Sequence, residues 1–179
     1  MSTYNSKKGV KTLPAKYQVG YTQKIIDASQ EYGVLRNQLA YILATVKHET
    51  NETFKPVVEA YWLSENWRKK NLRYYPWHGR GFVQLTWEYN YKFASEQLGI
   101  DLIADPNLAL DPNVSTVILI VGMLEGWFTG KKLGDYVDLF KSDFVRARRV
   151  VNGNDDANLI AGYAKEYDKL LKEAGYGVE

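Results

Sequence analysis

The tightest constraint on this chain is the run Leu39-Ala40-Tyr41-Ile42-Leu43-Ala44-Thr45-Val46-Lys47, which ends on His48-Glu49-Thr50. Leu39, Ile42, Leu43 and Val46 recur at helical spacing and form an inward stripe. A helix this apolar is stable only when it is packed against other elements, so its last turn is held firmly at the rim of the core. Glu49 stands on that turn. Burial disfavours the charged form of a carboxyl, and a neutral carboxyl is what a general acid needs. A solvated acid at a helix end is the plain alternative. Because a negative charge there opposes the helix dipole, its presence calls for a reason.

A second acid, Glu59, follows in Val57-Val58-Glu59-Ala60-Tyr61-Trp62. Glycosidases work with two carboxyls, about 6.5–9.5 Å apart for inversion and about 5–5.5 Å for retention. Pro56 interrupts the stretch between them, so two segments can face each other across a cleft. Glu52, Glu65 and Glu88 compete for the second role.

Beyond them lies Gly79-Arg80-Gly81-Phe82-Val83-Gln84-Leu85-Thr86-Trp87-Glu88-Tyr89-Asn90-Tyr91, a glycine-bracketed turn leading into amides and rings. Amides such as Gln84 and Asn90 both donate and accept, which suits hydroxyl and N-acetyl groups. Trp62, Trp67, Tyr75 and Trp77 are candidate platforms for sugar faces, with packing as the competing use of each ring.

Other chemistries fit less well. The zinc-protease spacing His-Glu-x-x-His fails, because the second position is Glu52, and with only His48 and His78 in the chain no metal site is expected. Cysteine is absent and no serine elbow is present. No cofactor is implied. The stretch Trp67-Arg68-Lys69-Lys70-Asn71-Leu72-Arg73-Tyr74-Tyr75-Pro76-Trp77 mixes cations and rings, as single-strand nucleic-acid binders do. A net charge of only +2 and the lack of a nucleic-acid motif place that reading well below a sugar groove.

The 179 residues make one domain the default, and 45% hydrophobic with 25% charged residues is ordinary for a globular chain. Residues 1–15 read as a polar arm and 16–179 as the folded domain. Helices are expected from Tyr17 to Tyr32, from Asn37 as cap to Glu49, over Val57 to Lys69, and from Thr86 as cap to Gly99. Further helices are expected from Asn113 to Gly130, from Ser142 to Asn152-Gly153, and from Asp156 to Ala174, closed by Gly175. Strand is limited to a short hairpin near Gly79 to Leu85. The fold class is mainly α. No apolar stretch of signal-peptide length follows Lys7, Lys8 and Lys11, and Val114 to Leu124 is too short for a membrane span. Cytoplasmic accumulation without stable membrane insertion is the expectation.

On His48-Glu49-Thr50 and the Gly79 to Tyr91 run, the chain resembles glycoside hydrolase family 19, the plant-type chitinases and a group of phage and bacterial lytic enzymes. The likeness extends through Asp105-Pro106, Gly122 to Lys132 and Arg149-Val150-Val151-Asn152-Gly153. The resemblance implies a single lysozyme-like α-helical domain with at most a short β-hairpin beside the cleft, and an inverting mechanism. Glu49 matches the general acid, Glu59 is chosen as the base, and Thr86 matches a hydroxyl that holds the attacking water. Gln84, Tyr89, Asn90 and Asn152 match sugar-contacting positions, with His48, Trp62 and Tyr75 added as substrate-binding candidates. Where plant members carry an arginine near the acids, this chain has Ile160.

The compact form resembles the phage endolysin branch. The expected partner is therefore the peptidoglycan glycan strand, cleaved at β-1,4 bonds by a monomer released from the host cytoplasm by another factor such as a holin. Chitin is the alternative substrate. A non-catalytic sugar- or nucleic-acid-binding protein on the same fold is the alternative class.

Overall fold

The computed structural model describes residues 10–177. Its axis is α2, Arg36–Glu49, in which every residue from Leu39 to Val46 is buried. Neighbours surround this helix, so it is apolar on all sides rather than on one stripe. α6, Ala157–Glu173, runs against it and turns Ile160, Ala161, Ala164, Tyr167 and Leu171 inward. α1, Thr22–Glu31, and α5, Pro112–Glu125, pack on α2 and on each other. The Asp111 carboxylate caps α5 by accepting from the N–H groups of Asn113 and Val114, and Pro112 occupies its first turn.

Around this core lie two further helices, α3 (Glu65–Asn71) and α4 (Glu88–Leu98), and a small sheet. β1, Val57–Val58, pairs antiparallel with β2, Arg80–Gly81, setting Val57 opposite Gly81 and Val58 opposite Arg80. An isolated bridge from Arg80 to Leu85 closes the following turn. The class is therefore mainly α, as the residue pattern implied, with one two-stranded sheet among the described residues.

Several boundaries differ from expectation. The stretch from Val57 to Lys69 is not one helix. Val57 and Val58 are β-branched and extend to pair with β2, residues 59–62 turn, and α3 begins only after Ser64, whose hydroxyl caps it by accepting from the Trp67 N–H. Thr86 does not cap α4: Trp87 occupies that position at φ +77 with no side-chain cap. Asn37 lies inside the first turn of α2 rather than before it. Its buried amide nitrogen donates to the carbonyls of Asp138 and Lys141 and to Ser142 Oγ, tying a distant loop to the central helix. α5 stops at Gly126, with φ +78, not at Gly130.

Residues 142–152 hold only a 3-10 turn, Arg146–Val150, after the Val137–Ser142 bridge. The first expected helix is split into a 3-10 turn, Ala15–Tyr17, and α1. The break falls at Gly20, where φ is +51 and an added Cβ would lie 2.4 Å from the Thr53 carbonyl oxygen. Of the arm assigned to residues 1–15, residues 1–9 lie outside the described part. The remainder is tied to the body, since Leu13 is buried and the Lys11 N–H donates to the Ala174 carbonyl.

Candidate active site

Glu49 closes α2, as the apolar run required, but its environment holds more than apolar packing. Arg148 Nη1 donates to Glu49 Oε1 at 2.9 Å, and the guanidinium side chain is only 2% exposed against 18% for the carboxyl. Arg148 is itself fixed by Nε, which donates to the Asp155 carbonyl. The 3-10 turn Arg146–Val150 therefore delivers a buried cation to the end of the central helix. The direction of the Glu49 carboxyl is set by that contact as well as by burial.

Sequence reasoning missed Arg148, having sought the supporting arginine in the last helix at Ile160. Ile160 is fully buried and fills the core instead. The available signal was the Arg146-Ala147-Arg148-Arg149 run beside apolar Val150 and Val151, a pattern in which one arginine can turn inward.

Glu59 sits on the turn after β1 and continues its ladder. Its N–H donates to the Gly79 carbonyl, while its Oε2 accepts from the Gly79 N–H, both at 2.8 Å. Its Oε1 accepts from the Tyr74 hydroxyl at 2.5 Å. Burial, followed by the Glu59 carboxylate, pushes the Tyr74 phenol up to about 12, so it remains a donor across the neutral range. Of the competing acids, Glu65 pairs with Arg68 and accepts from the Tyr75 hydroxyl, Glu52 pairs with Lys47, and Glu88 is exposed in the first turn of α4.

Beside β2 the chain forms a recess of about 190 Å³, walled by Gln84, Thr86, Trp87 and Asn90 on one side and by Phe128 and Val151 on the other. Gln84, at φ +60, spends its amide nitrogen on the Val57 and Gly81 carbonyls, making it a strut between the strands. Gly79 leaves room for the Gln84 amide here, since a Cβ would lie 2.5 Å from Gln84 Oε1 and push that side chain out of place. The Thr86 hydroxyl donates to the Gln84 carbonyl, and Asn90 Nδ2 donates to the Thr86 carbonyl. Val151, on the recess wall, directly follows the turn that carries Arg148, the partner of Glu49. The strut from Gln84 to Val57 links the other wall to the strand that leads to Glu59.

The remaining candidates spread over the rim. Trp62 is 71% exposed and meets Tyr61 edge-on at 5.2 Å, directly after Glu59. Tyr89 is exposed and lies near-parallel to Trp87. Tyr75 stacks on His78 at 5.4 Å. Asn152 is exposed and its Oδ1 accepts from the Gly153 N–H. His48 turns toward α6, with Nε2 3.3 Å from Asp156 Oδ2, rather than into the recess. Trp77 is half-buried against the core and Tyr91, so it packs rather than presents a platform.

The cationic stretch from Trp67 to Trp77 also divides. Arg68 is buried, donating to Glu65 and to the Ala60 and Leu63 carbonyls, which breaks up the exposed basic face that a nucleic-acid reading needs.

Known proteins resemble this chain in sequence and in fold. Residues 45–132 match glycoside hydrolase family 19, described as Chitinase class I, a segment that holds both acids and the recess-forming Gln84, Thr86 and Asn90. An endochitinase of Arabidopsis thaliana is 29% identical over 147 residues, covering 75% of this chain and 52% of that protein. The chain thus spans about half the length of that relative. Among solved structures, a chitinase C mutant superposes with a TM-score of 0.62 at 19% identity, covering 94% of this chain and 96% of its own. Chitinase C from Streptomyces griseus gives 0.60 at 22% identity, covering 89% of this chain and 65% of that one. The fold is shared with these structures.

Proposed function

We infer, from the family 19 match over residues 45–132 that contains both Glu49 and Glu59, that the chain is a glycoside hydrolase of that family. The proposed substrate is chitin or its N-acetylglucosamine oligomers, cut at β-1,4 bonds with inversion. That one match carries the reading, because it joins the acid on the central helix to the acid on the β1 turn. In this account Glu49, aligned by Arg148, protonates the leaving glycosidic oxygen. Glu59, held by Tyr74 and the Gly79 N–H, takes a proton from water attacking the opposite face. The Thr86 hydroxyl, turned by its bond to the Gln84 carbonyl, has lone pairs to orient that water. Each of these groups acts by position, and proton transfer by a placed side chain is worth about 10²–10⁴ in rate.

Peptidoglycan is the second reading. It shares the β-1,4 linkage and the N-acetyl group with chitin, but the relatives named above are chitinases. Chitin oligomers and permeabilised bacterial walls, assayed side by side, distinguish the two. Chitin hydrolysis that falls about 10²–10⁴-fold in Glu49→Gln with folding retained is the expected result. Wall lysis without chitin hydrolysis would transfer the assignment to peptidoglycan. A Glu49→Gln variant as active as its parent would remove Glu49 as the acid.

A further inference from the structure

His78 is one of two histidines in the chain, and its place in the fold is unusual. The residue is 0% exposed, and neither Nδ1 nor Nε2 has a hydrogen-bond partner among the described residues. A buried polar group in that condition is destabilising, because it has lost its water without gaining a partner. An apolar ring would fill the same space without that cost.

The ring lies at the centre of the turn that holds Glu59. Tyr75 stacks on it with an interplanar angle of 14°, and the neighbouring Tyr74 donates to Glu59 Oε1. On the other side, the His78 carbonyl accepts from the Tyr91 hydroxyl at 2.6 Å and from Arg80 Nη1 at 3.4 Å. The next residue, Gly79, gives Glu59 its second donor. Both donors to Glu59 therefore belong to the segment wrapped around the imidazole.

The charged groups facing this ring are Arg80 from β2, Arg68 and Glu65 from α3, and Glu59 from the β1 turn; the Tyr75 and Tyr91 hydroxyls are the nearby phenols. Both arginines are buried and already engaged, Arg80 with Asn107 and the Pro76 carbonyl, Arg68 with Glu65. An imidazolium here would be a third buried cation in a site that offers its ring nitrogens no acceptor.

We propose that His78 is a positioning residue: its neutral ring props the 74–79 turn so that Tyr74 and Gly79 hold Glu59, and its protonation releases that grip and sets the acid limit of the site. The step is the gain of one proton from solvent by a ring nitrogen, followed by displacement of the turn to reach water. Burial and the Arg80 guanidinium pull the imidazole down to about 4, which puts the change well below neutrality.

The inference rests on the role given to Glu59 above, so its test has one arm that needs no activity. Imidazole resonances followed by NMR from pH 7 to 3 are assigned to the two histidines with the His48→Asn variant. The His78 signal is expected to hold its neutral shift through pH 5, then titrate together with a change in near-ultraviolet dichroism from the surrounding rings. His78→Phe, which keeps the stacked ring and removes the proton site, should abolish that dichroic change.

In the second arm, chitin-oligomer hydrolysis is measured against pH and normalised to each variant's own neutral rate. The acid limb should move to lower pH and become shallower in His78→Phe. A His78 signal that titrates near 6.5, or a dichroic change that persists in His78→Phe, would overturn the proposal whether or not the enzyme cuts chitin. An unshifted acid limb in an active His78→Phe enzyme would overturn the link to Glu59 while leaving the hydrolase reading intact. Should the phenylalanine variant fail to fold, His78→Gln replaces it in both arms, and the wild-type titration stands without either.

Discussion

Arg148 and Glu49 meet across 99 positions of sequence, the guanidinium nearly sealed from solvent and the carboxyl half-buried. Removing one partner of such a pair leaves the other charge without compensation, at a cost of about 3–5 kcal/mol. Arg148→Ala should therefore lower stability by about that amount in urea unfolding and reduce hydrolysis as well, because the carboxyl loses its alignment. A parent-like midpoint would show that the pair carries little.

Tyr74→Phe probes the other acid more gently. One hydrogen bond to a charged group is worth about 1.5–3 kcal/mol, so kcat should fall roughly tenfold to a hundredfold. KM should be little changed, since the hydroxyl touches Glu59 and not the rim where the sugar would lie. Glu49 was legible in the sequence because an apolar helix points to its own last turn. Arg148 was not, because its partner is remote in sequence and Arg146, Arg148 and Arg149 look alike until the fold buries one of them.

At the level of elements, α2 carries the most weight. Leu43 is fully buried at its centre, and truncation to alanine should cost about 2–5 kcal/mol by thermal or denaturant unfolding. Asn37→Ala should cost about 1–3 kcal/mol through the Asp138, Lys141 and Ser142 groups it would strand. A loss below 0.5 kcal/mol, on the order of an ordinary surface change, would contradict the bracing role.

The elements that periodicity revealed, α2, α5 and α6, are those whose buried faces repeat over several turns. Val57 to Lys69 misled because Pro56 suits a helix's first turn equally well, and the pairing that made Val57-Val58 a strand comes from residues 80–81. Thr86 looked like a cap, yet its hydroxyl turns back to Gln84 to shape the recess. Asn37 looked like a cap too, but its amide was needed by a loop that local sequence cannot see. Asn37 answers to a tertiary contact that overrides local preference, whereas Thr86 is claimed by a competing turn two residues back.

Taken as a whole, the molecule places its acids on unlike supports, one on a rigid buried helix and one on a short turn gripped by neighbours. That difference predicts unequal resistance to acid. His78, neutral when folded and titrating near its usual 6.5 when unfolded, falls to about 4 in the native state. The unfolded chain then binds the extra proton first, so native stability is complete above about 6.5 and lost as pH falls toward 4. The loss is on the order of 3 kcal/mol. Melting temperatures across that range should decline in the parent and decline less in His78→Phe, and parallel declines would refute it.

In the proposed reaction Glu49 and Glu59 act from opposite faces of a chitin bond. Proton NMR of the anomers formed in the first moments of N-acetylglucosamine hexamer hydrolysis tests it most directly. With inversion at a β-1,4 bond, the new reducing ends should appear as the α-anomer before mutarotation. Initial β-anomer, or an intact hexamer after prolonged incubation with folded enzyme, would contradict it.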